Sequence, residues 1–190
     1  MTRLVQSSNA YFVKLPTGQT PAHETTDSAM PDNSTIDRCL HDLKLALGDQ
    51  VSTDPDVLLE HGKDSAHHTP QAPDAVVEAA STNDVQQAVR ICSHHGVPMI
   101  PFGTGTAVEG GVVATRGGVC IDLQKMSQIR RLSVADMDVT VEAGVTRLQL
   151  NDYLAEQGTG LHFPVDPGAD ASLGGMAATR ASGTNAVRYG

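Results

Sequence analysis

Two glycine-rich stretches constrain this chain more than any other feature of its sequence. The first runs from Pro101 to Gly111 (PFGTGTAVEGG) and follows a short apolar segment, 97–100. The second runs from Pro164 to Gly190 (PVDPGADASLGGMAATRASGTNAVRYG) and is again built mainly from small residues. Because glycine has no side chain to obstruct the backbone, such a loop can turn several amides toward one point and bind a phosphate. We therefore predict that the two stretches hold one extended anionic cofactor between them.

The composition excludes several classes of function. No apolar run is long enough to cross a bilayer, and 22 acidic against 13 basic residues give a formal net charge of −9, which argues against a nucleic-acid partner. Lys and Arg are scarce in both stretches, so backbone amides and helix N-termini would have to hold an anion. Cys39, Cys92 and Cys120 form no CxxC pair, and we expect buried apolar cysteines in a reducing compartment.

The 190 residues are predicted to form one domain, 35–190, preceded by a flexible tail, 1–34, which mixes Ser, Thr, Asn, Pro and Gly without a hydrophobic period. Ser34 is predicted to open a helix that ends at Gly48. Its apolar stripe consists of Ile36, Leu40, Leu43 and Leu47. The stretch 61–68 contains three histidines; we interpret it as a solvated polar loop rather than a metal site, so no metal ligand is predicted.

From residue 75 onward the pattern predicts a βαβ unit. A strand at 75–79 precedes a helix capped by Ser81, with Asp84 at the capping-box position, and Gly96 ends this helix. A second strand, 97–100, leads into the first glycine-rich stretch. That stretch then lies at the carboxyl end of a strand, where α/β sheets usually bind cofactors.

The rest of the chain predicts a further strand, a hairpin and a helix. The strand at 118–123 is apolar enough to be central, and 129–134 pairs with 139–143. Thr146 and Gln149 form a capping box for a helix that buries Leu150 and Leu154 and ends at Gly158. For His162, which follows, packing is a better explanation than chemistry.

Common nucleotide-binding and hydrolase motifs are missing from the glycine-rich stretches. Gly103, Gly105 and Gly110 give GxGxxxxG, which differs from the GxGxxG spacing of a Rossmann turn, and no GK[ST] sequence follows. GxSxG is also absent, which argues against a hydrolase elbow. On composition alone, flexible connecting loops remain the alternative interpretation.

The segments PFGTGTAVEGG, GGVCIDLQKM, VEAGVT and FPVDPGADASLGGMAATRASGTNAVRYG, in this order and spacing, resemble the FAD-binding domain of the vanillyl-alcohol oxidase type. Within that group the resemblance is greatest to FAD-linked D-lactate dehydrogenases, relatives of the glycolate oxidase D subunit, and it covers about residues 40–190. It implies an α+β fold with a small parallel βαβ lobe, a larger, mainly antiparallel lobe that is incomplete here, and FAD between them.

Carried over position by position, the resemblance implies two groups of cofactor-binding residues. They are Gly103, Thr104, Gly105, Thr106 and Ala107 in the first stretch, and Pro167, Gly168, Ala169, Ser172, Leu173, Gly174, Gly175, Ala178, Ser182, Gly183, Tyr189 and Gly190 in the second.

Neighbouring residues refine this assignment. Gly174 and Gly175 are expected to open a short helix whose N-terminus favours an anion. Asp166 and Asp170 should point outward or bond backbone donors, and Arg180 is left outside the contacts. Some relatives attach flavin to a histidine in the first loop; none stands there in this chain, so we expect noncovalent FAD.

Family members are far longer, and we expect this sequence to stop inside the cofactor domain, before the substrate cap and its histidines, so no catalytic residue is predicted. The resemblance implies oxidation of D-lactate or a related D-2-hydroxy acid to the 2-oxo acid, with electrons passed to cytochrome c or a quinone. The alternatives are a noncatalytic flavin- or nucleotide-binding module, an inactive truncated product, and a piece that is not stable alone. A cytoplasmic location is expected, with a peripheral position at the inner membrane as an alternative, or a mitochondrial one if the source is eukaryotic.

Overall fold

A four-stranded sheet forms the first lobe of the structure, a computed structural model that describes residues 31–189. Its strands are β1 (Val51–Ser52), β2 (Ala75–Glu78), β3 (Met99–Phe102) and β4 (Val119–Asp122), in the order β1-β2-β4-β3. β2, β4 and β3 run parallel, while β1 pairs antiparallel with β2. The strand predicted to be central, β4, lies between β2 and β3, so the expected βαβ unit is present with β4 inserted into it.

Three helices cover this sheet: α1 (Asn33–Leu47), α2 (Pro55–His61) and α3 (Thr82–His95). Because side chains alternate across a strand, Val77 and Val119 pack against α1 and α3, whereas Val76 and Cys120 pack in a second cluster with α2. The predicted stripe of α1 faces the first cluster, and all three cysteines are fully buried, as expected.

The first helix begins slightly earlier than the sequence pattern predicts. Asp32 caps α1, and its carboxylate accepts a hydrogen bond from the Thr35 amide at 2.7 Å. The Ser34 hydroxyl, predicted to open the helix, instead donates to Asp32. Most of the tail predicted at 1–34 lies outside the described residues.

The second strand of the unit, β3, begins two residues later than predicted. The amide of Val97 donates to Cys92 O at 2.9 Å, which extends the end of α3, and Pro98 has no amide hydrogen to offer a neighbouring strand. Gly96 ends α3 with φ +66°, as predicted, and the Ser81 hydroxyl accepts from the Asp84 amide. The Asp84 carboxylate bonds the amide of Ala80 rather than completing the capping box with Ser81.

The second lobe combines a hairpin with three helices. The hairpin pairs β5 (Ile129–Ser133) with β6 (Asp138–Val141), and the helices are α4 (Arg147–Glu156), α5 (Leu173–Thr179) and α6 (Ala186–Tyr189). The Thr146–Gln149 capping box of α4 is confirmed, and Leu150 and Leu154 are buried in the core of this lobe. None of the helices within 31–189 combines the length and apolar character needed to span a membrane.

Candidate cofactor site

A cleft of about 680 Å³ separates the loop after β3 from the segment around α5, within the size range of small-molecule sites. Twelve of the predicted cofactor-binding residues line it: Gly103, Thr104, Gly105, Thr106, Ala107, Pro167, Ala169, Ser172, Gly174, Gly175, Ala178 and Ser182. Sequence reasoning missed other lining residues, among them Phe102, Leu123, Ala143 and Met176. The chain therefore brings its two glycine-rich stretches together, as predicted.

The loop after β3, which lines this cleft, contains unpaired amides. Within residues 31–189, the N–H groups of residues 103–107 donate no hydrogen bond, although these residues are half-buried. A backbone N–H group needs a hydrogen-bond partner, so five consecutive ones without a partner in the described chain must bond water or a ligand. Such a run provides donors for a negatively charged group bound in the cleft.

Two glycines explain how this loop reaches its conformation. Gly105 has φ +66°, a left-handed backbone that other residues rarely adopt. A Cβ on Gly103 would lie 2.4 Å from the Ser172 hydroxyl oxygen, so a larger residue there would collide with the opposite side of the cleft. Glycine at these two positions permits the turn and the close approach of the two stretches.

In the second stretch, the amides at the start of α5 are bonded within the protein, whereas those of Ala169 and Ser182 donate no hydrogen bond in the described chain. Leu173 N donates to Val145 O at 2.8 Å, Gly174 N donates to Ala143 O at 2.9 Å, and Gly175 N donates to the Ser172 hydroxyl at 3.3 Å. Ser172 caps the predicted short helix, α5. The first loop is thus the richer source of free donors, and the second stretch mainly contributes small, closely packed residues.

The remaining predicted site residues do not line the cleft. Leu173 packs in the core of the second lobe. Gly183 lies against the Asp166 backbone, where a Cβ would be 2.1 Å from the carbonyl oxygen, and Gly168 donates to the Asp166 carboxylate. The Tyr189 side chain and Gly190 lie outside what the structure describes, so these two assignments remain predictions.

Charged groups at the cleft only partly follow expectation. Asp166 and Asp170 accept hydrogen bonds from the amides of Gly168 and Leu148, as anticipated. Arg180, expected to lie outside the contacts, lines the cleft and adopts φ +53°. Glu109 also lines the cleft, and its carboxylate accepts from the Val108 amide at 3.1 Å.

In the histidine-rich stretch 61–68, His67 and His68 are exposed in a loop, as predicted, whereas His61 is half-buried in a helix. His61 ends α2, where its Nδ1 lies 2.8 Å from Val57 O and its Nε2 lies 3.1 Å from an Asp122 oxygen. The hydrogen bond with Asp122 raises the pKa of His61, against the opposing effect of burial. Its ring packs on Phe102, with centroids 4.5 Å apart. His162, for which packing was favoured, is exposed.

These features fit the diphosphate of a dinucleotide cofactor. Five consecutive unpaired amides lie in one lining loop, and Gly174, Gly175 and Ala178 in the other part of the lining have no large side chain that would prevent a flat ligand from lying against them. The donors are neutral, so they can approach two phosphate charges without needing a cation at each.

Comparison with known families and proteins supports the same cofactor. Residues 73–190 match the family model described as the FAD binding domain. The chain is 54% identical over 156 residues to a probable mitochondrial D-lactate dehydrogenase of Danio rerio, covering 82% of this chain and 31% of the relative. It is 47% identical over 150 residues to the mitochondrial D-lactate dehydrogenase [cytochrome] of Arabidopsis thaliana, covering 78% of this chain and 26% of the relative. The chain thus spans less than a third of either relative's length.

A solved structure shares this architecture. An alkyldihydroxyacetonephosphate synthase superposes with a TM-score of 0.71 and 25% identity, covering 80% of this chain and 30% of the synthase chain. The predicted fold class, an α+β FAD-binding domain of the vanillyl-alcohol oxidase type, is confirmed. The prediction of FAD as the cofactor is confirmed as well.

Proposed function

The chain belongs to the family of the FAD binding domain, and from this we propose that it holds the diphosphate of FAD against the amides of residues 103–107. The observation that carries the proposal is the run of unpaired N–H groups there, in residues that line a cleft with few cations. Gly103 and Ser172 keep the two sides of the cleft close, and Gly175 and Ala178 leave room for a ligand that lies flat. Nothing in the loop offers a histidine for attachment, so the proposed binding is noncovalent.

We further propose that the complete protein oxidises D-lactate or a related D-2-hydroxy acid to the 2-oxo acid. Bound FAD would supply the hydride acceptor. The described residues contribute binding and orientation of the cofactor, and none of them is assigned as the base that takes the substrate's hydroxyl proton. The names of the relatives, which are D-lactate dehydrogenases, support this substrate class.

The electron acceptor and the location follow the same reasoning. The Arabidopsis relative is named for cytochrome, and both relatives are named as mitochondrial. We propose cytochrome c as the acceptor, with a quinone as the alternative, and a mitochondrial location if the source is eukaryotic.

Flavin titration followed by anaerobic substrate addition tests these proposals. The 190-residue chain should bind FAD noncovalently, so that denaturation releases all of the flavin. In the complete protein, D-lactate should bleach the flavin absorbance, and L-lactate serves as the control. Bound flavin that neither D-lactate nor D-2-hydroxyglutarate reduces would instead indicate a noncatalytic flavin-binding module.

A further inference from the structure

We propose that Asp64 and Ser65 are positioning residues that hold the loop 103–111 in its anion-binding conformation. Neither residue lines the cleft. Both lie in the segment 62–68, which we call the brace and which packs behind the loop. This inference rests on the proposed function of the loop and extends it to residues that would not touch the cofactor.

Ser65 fixes the direction of two peptide groups in the loop. Its amide donates to Ala107 O at 3.1 Å, and its hydroxyl donates to Gly105 O at 3.4 Å. The peptide bonds of the described chain are trans, so each carbonyl points opposite to the N–H of the next residue. By accepting the bond from the Ser65 hydroxyl at Gly105 O, the loop turns the unpaired amide of Thr106, a cleft-lining residue, away from the brace. The bond to Ala107 O fixes the next peptide group, whose Val108 amide donates to the Glu109 carboxylate.

Asp64 secures the far end of the loop and the brace itself. Its side chain is 0% exposed. One carboxylate oxygen accepts from the Ala66 amide at 3.0 Å, and the other accepts from the Gly110 amide at 3.0 Å and lies 2.7 Å from Nδ1 of His68. Gly110 has φ +77°, and the His68 ring lies against its Cα, where a Cβ would meet the ring at 3.3 Å. The carboxylate therefore joins the brace to the end of the loop in a solvent-excluded position.

Replacing the Asp64 carboxylate tests this role with little change of shape. Asp64→Asn keeps the size but replaces one acceptor with an N–H₂ donor, which leaves a backbone amide without a partner. We expect FAD affinity to fall about tenfold, equivalent to ~1.4 kcal/mol. Ser65→Ala should weaken binding about threefold, and Ser65→Thr, which keeps the hydroxyl, should restore it.

The matched control is Asp54→Ala. Asp54 caps α2 through the amides of Asp56 and Val57, which is the same kind of contact, and it forms no hydrogen bond with the loop. This variant should lower the melting temperature at least as much as Asp64→Asn does, yet change FAD affinity less than about twofold. The control thus distinguishes an effect on FAD affinity from an effect on the stability of the fold.

Hydrogen exchange in the flavin-free chain provides a second readout. At least one of the Gly110 and Ala66 amides, the two that donate to the Asp64 carboxylate, should exchange about tenfold faster in Asp64→Asn than in the wild type, and Asp54→Ala should leave both unchanged. Equal FAD affinity in wild type and Asp64→Asn, or unchanged exchange at both Gly110 and Ala66, would overturn the positioning role and leave the proposed function standing. A wild-type chain that binds no FAD would contradict the proposed function, and the positioning role with it.

Discussion

At the scale of single residues, glycine is required at different positions around the cleft for different physical reasons. Gly105 supplies a left-handed turn, whereas Gly103 permits close approach to Ser172. Gly174 is needed for packing, because a Cβ there would lie 2.7 Å from the Ala143 Cβ and 2.8 Å from its carbonyl oxygen. The first stretch has an uninterrupted run of free amides at 103–107, whereas the free amides of the second stretch are scattered among bonded ones, so similar glycine content serves two different arrangements.

Replacing single glycines with alanine should show whether a glycine is needed because another residue lies close to it or only because the loop is flexible. In Gly103→Ala the new Cβ displaces the Ser172 hydroxyl, which caps α5, so we expect a loss of about 1–2 kcal/mol in the free energy of unfolding. Gly111→Ala is the control, because its Cβ would meet nothing within 4 Å and its φ is not positive. Urea unfolding should show this variant to be equal to or slightly more stable than wild type. Equal stability of the two variants would contradict the close packing at Gly103.

Individual site residues also show what sequence reasoning could not resolve. The resemblance placed Leu173 and Gly183 among the cofactor contacts, but Leu173 packs in the core and Gly183 lies against the Asp166 backbone. A motif records that a small or apolar residue is required at a position. It does not record whether the neighbour that requires it is a cofactor or another part of the chain.

At the scale of elements, α2 was not predicted, and its last residue, His61, packs on Phe102, which lines the cleft. Its start signals were present, since Asp54 caps it and Pro55 occupies its first turn. With residues 55–61 only, the helix is too short to show a repeating apolar stripe, and no helix was predicted there. Its last residue, His61, contacts Asp122 and Phe102, which are distant in sequence, so no local sequence pattern predicts these contacts.

The contacts of His61 predict a pH dependence of stability. Val57 O and the Asp122 carboxylate both accept hydrogen bonds, so the ring satisfies both when each nitrogen carries a proton. The pKa of His61 is raised from 6.5, chiefly by Asp122, so its stabilisation is present in full below about pH 6.5 and is lost as pH rises through the raised value.

Chemical denaturation at a series of pH values measures this effect. The free energy of unfolding of wild type should fall more steeply between about pH 6 and about pH 9 than that of His61→Gln, which does not titrate. Subtracting the two curves removes the contribution of the other histidines. Parallel curves would show that His61 binds its two acceptors without changing its proton affinity.

At the scale of the whole molecule, an acidic chain forms a cleft for an anion. The formal net charge is −9, and Arg180 is the one cationic side chain among the cleft-lining residues of 31–189. Repulsion from the distant carboxylates is weakened by solvent and salt, whereas the loop amides act at hydrogen-bonding distance. Local donors can therefore outweigh the overall charge.

Much of the overall architecture was predictable because local sequence patterns specify it. The βαβ unit, the hairpin and the capping box of α4 follow from local patterns and are confirmed. The insertion of β4 between β2 and β3, and the brace behind the loop, depend on contacts between segments far apart in sequence. Those contacts carry no periodicity that a single sequence reveals.

The most direct test is the experimental structure of the chain with FAD bound. Our account predicts diphosphate oxygens within about 3.2 Å of several amide nitrogens of residues 103–107, with these N–H groups pointing at the phosphates. A diphosphate bound elsewhere in the cleft, held chiefly by Arg180 or other cationic side chains while the amides of 103–107 face water, would contradict it.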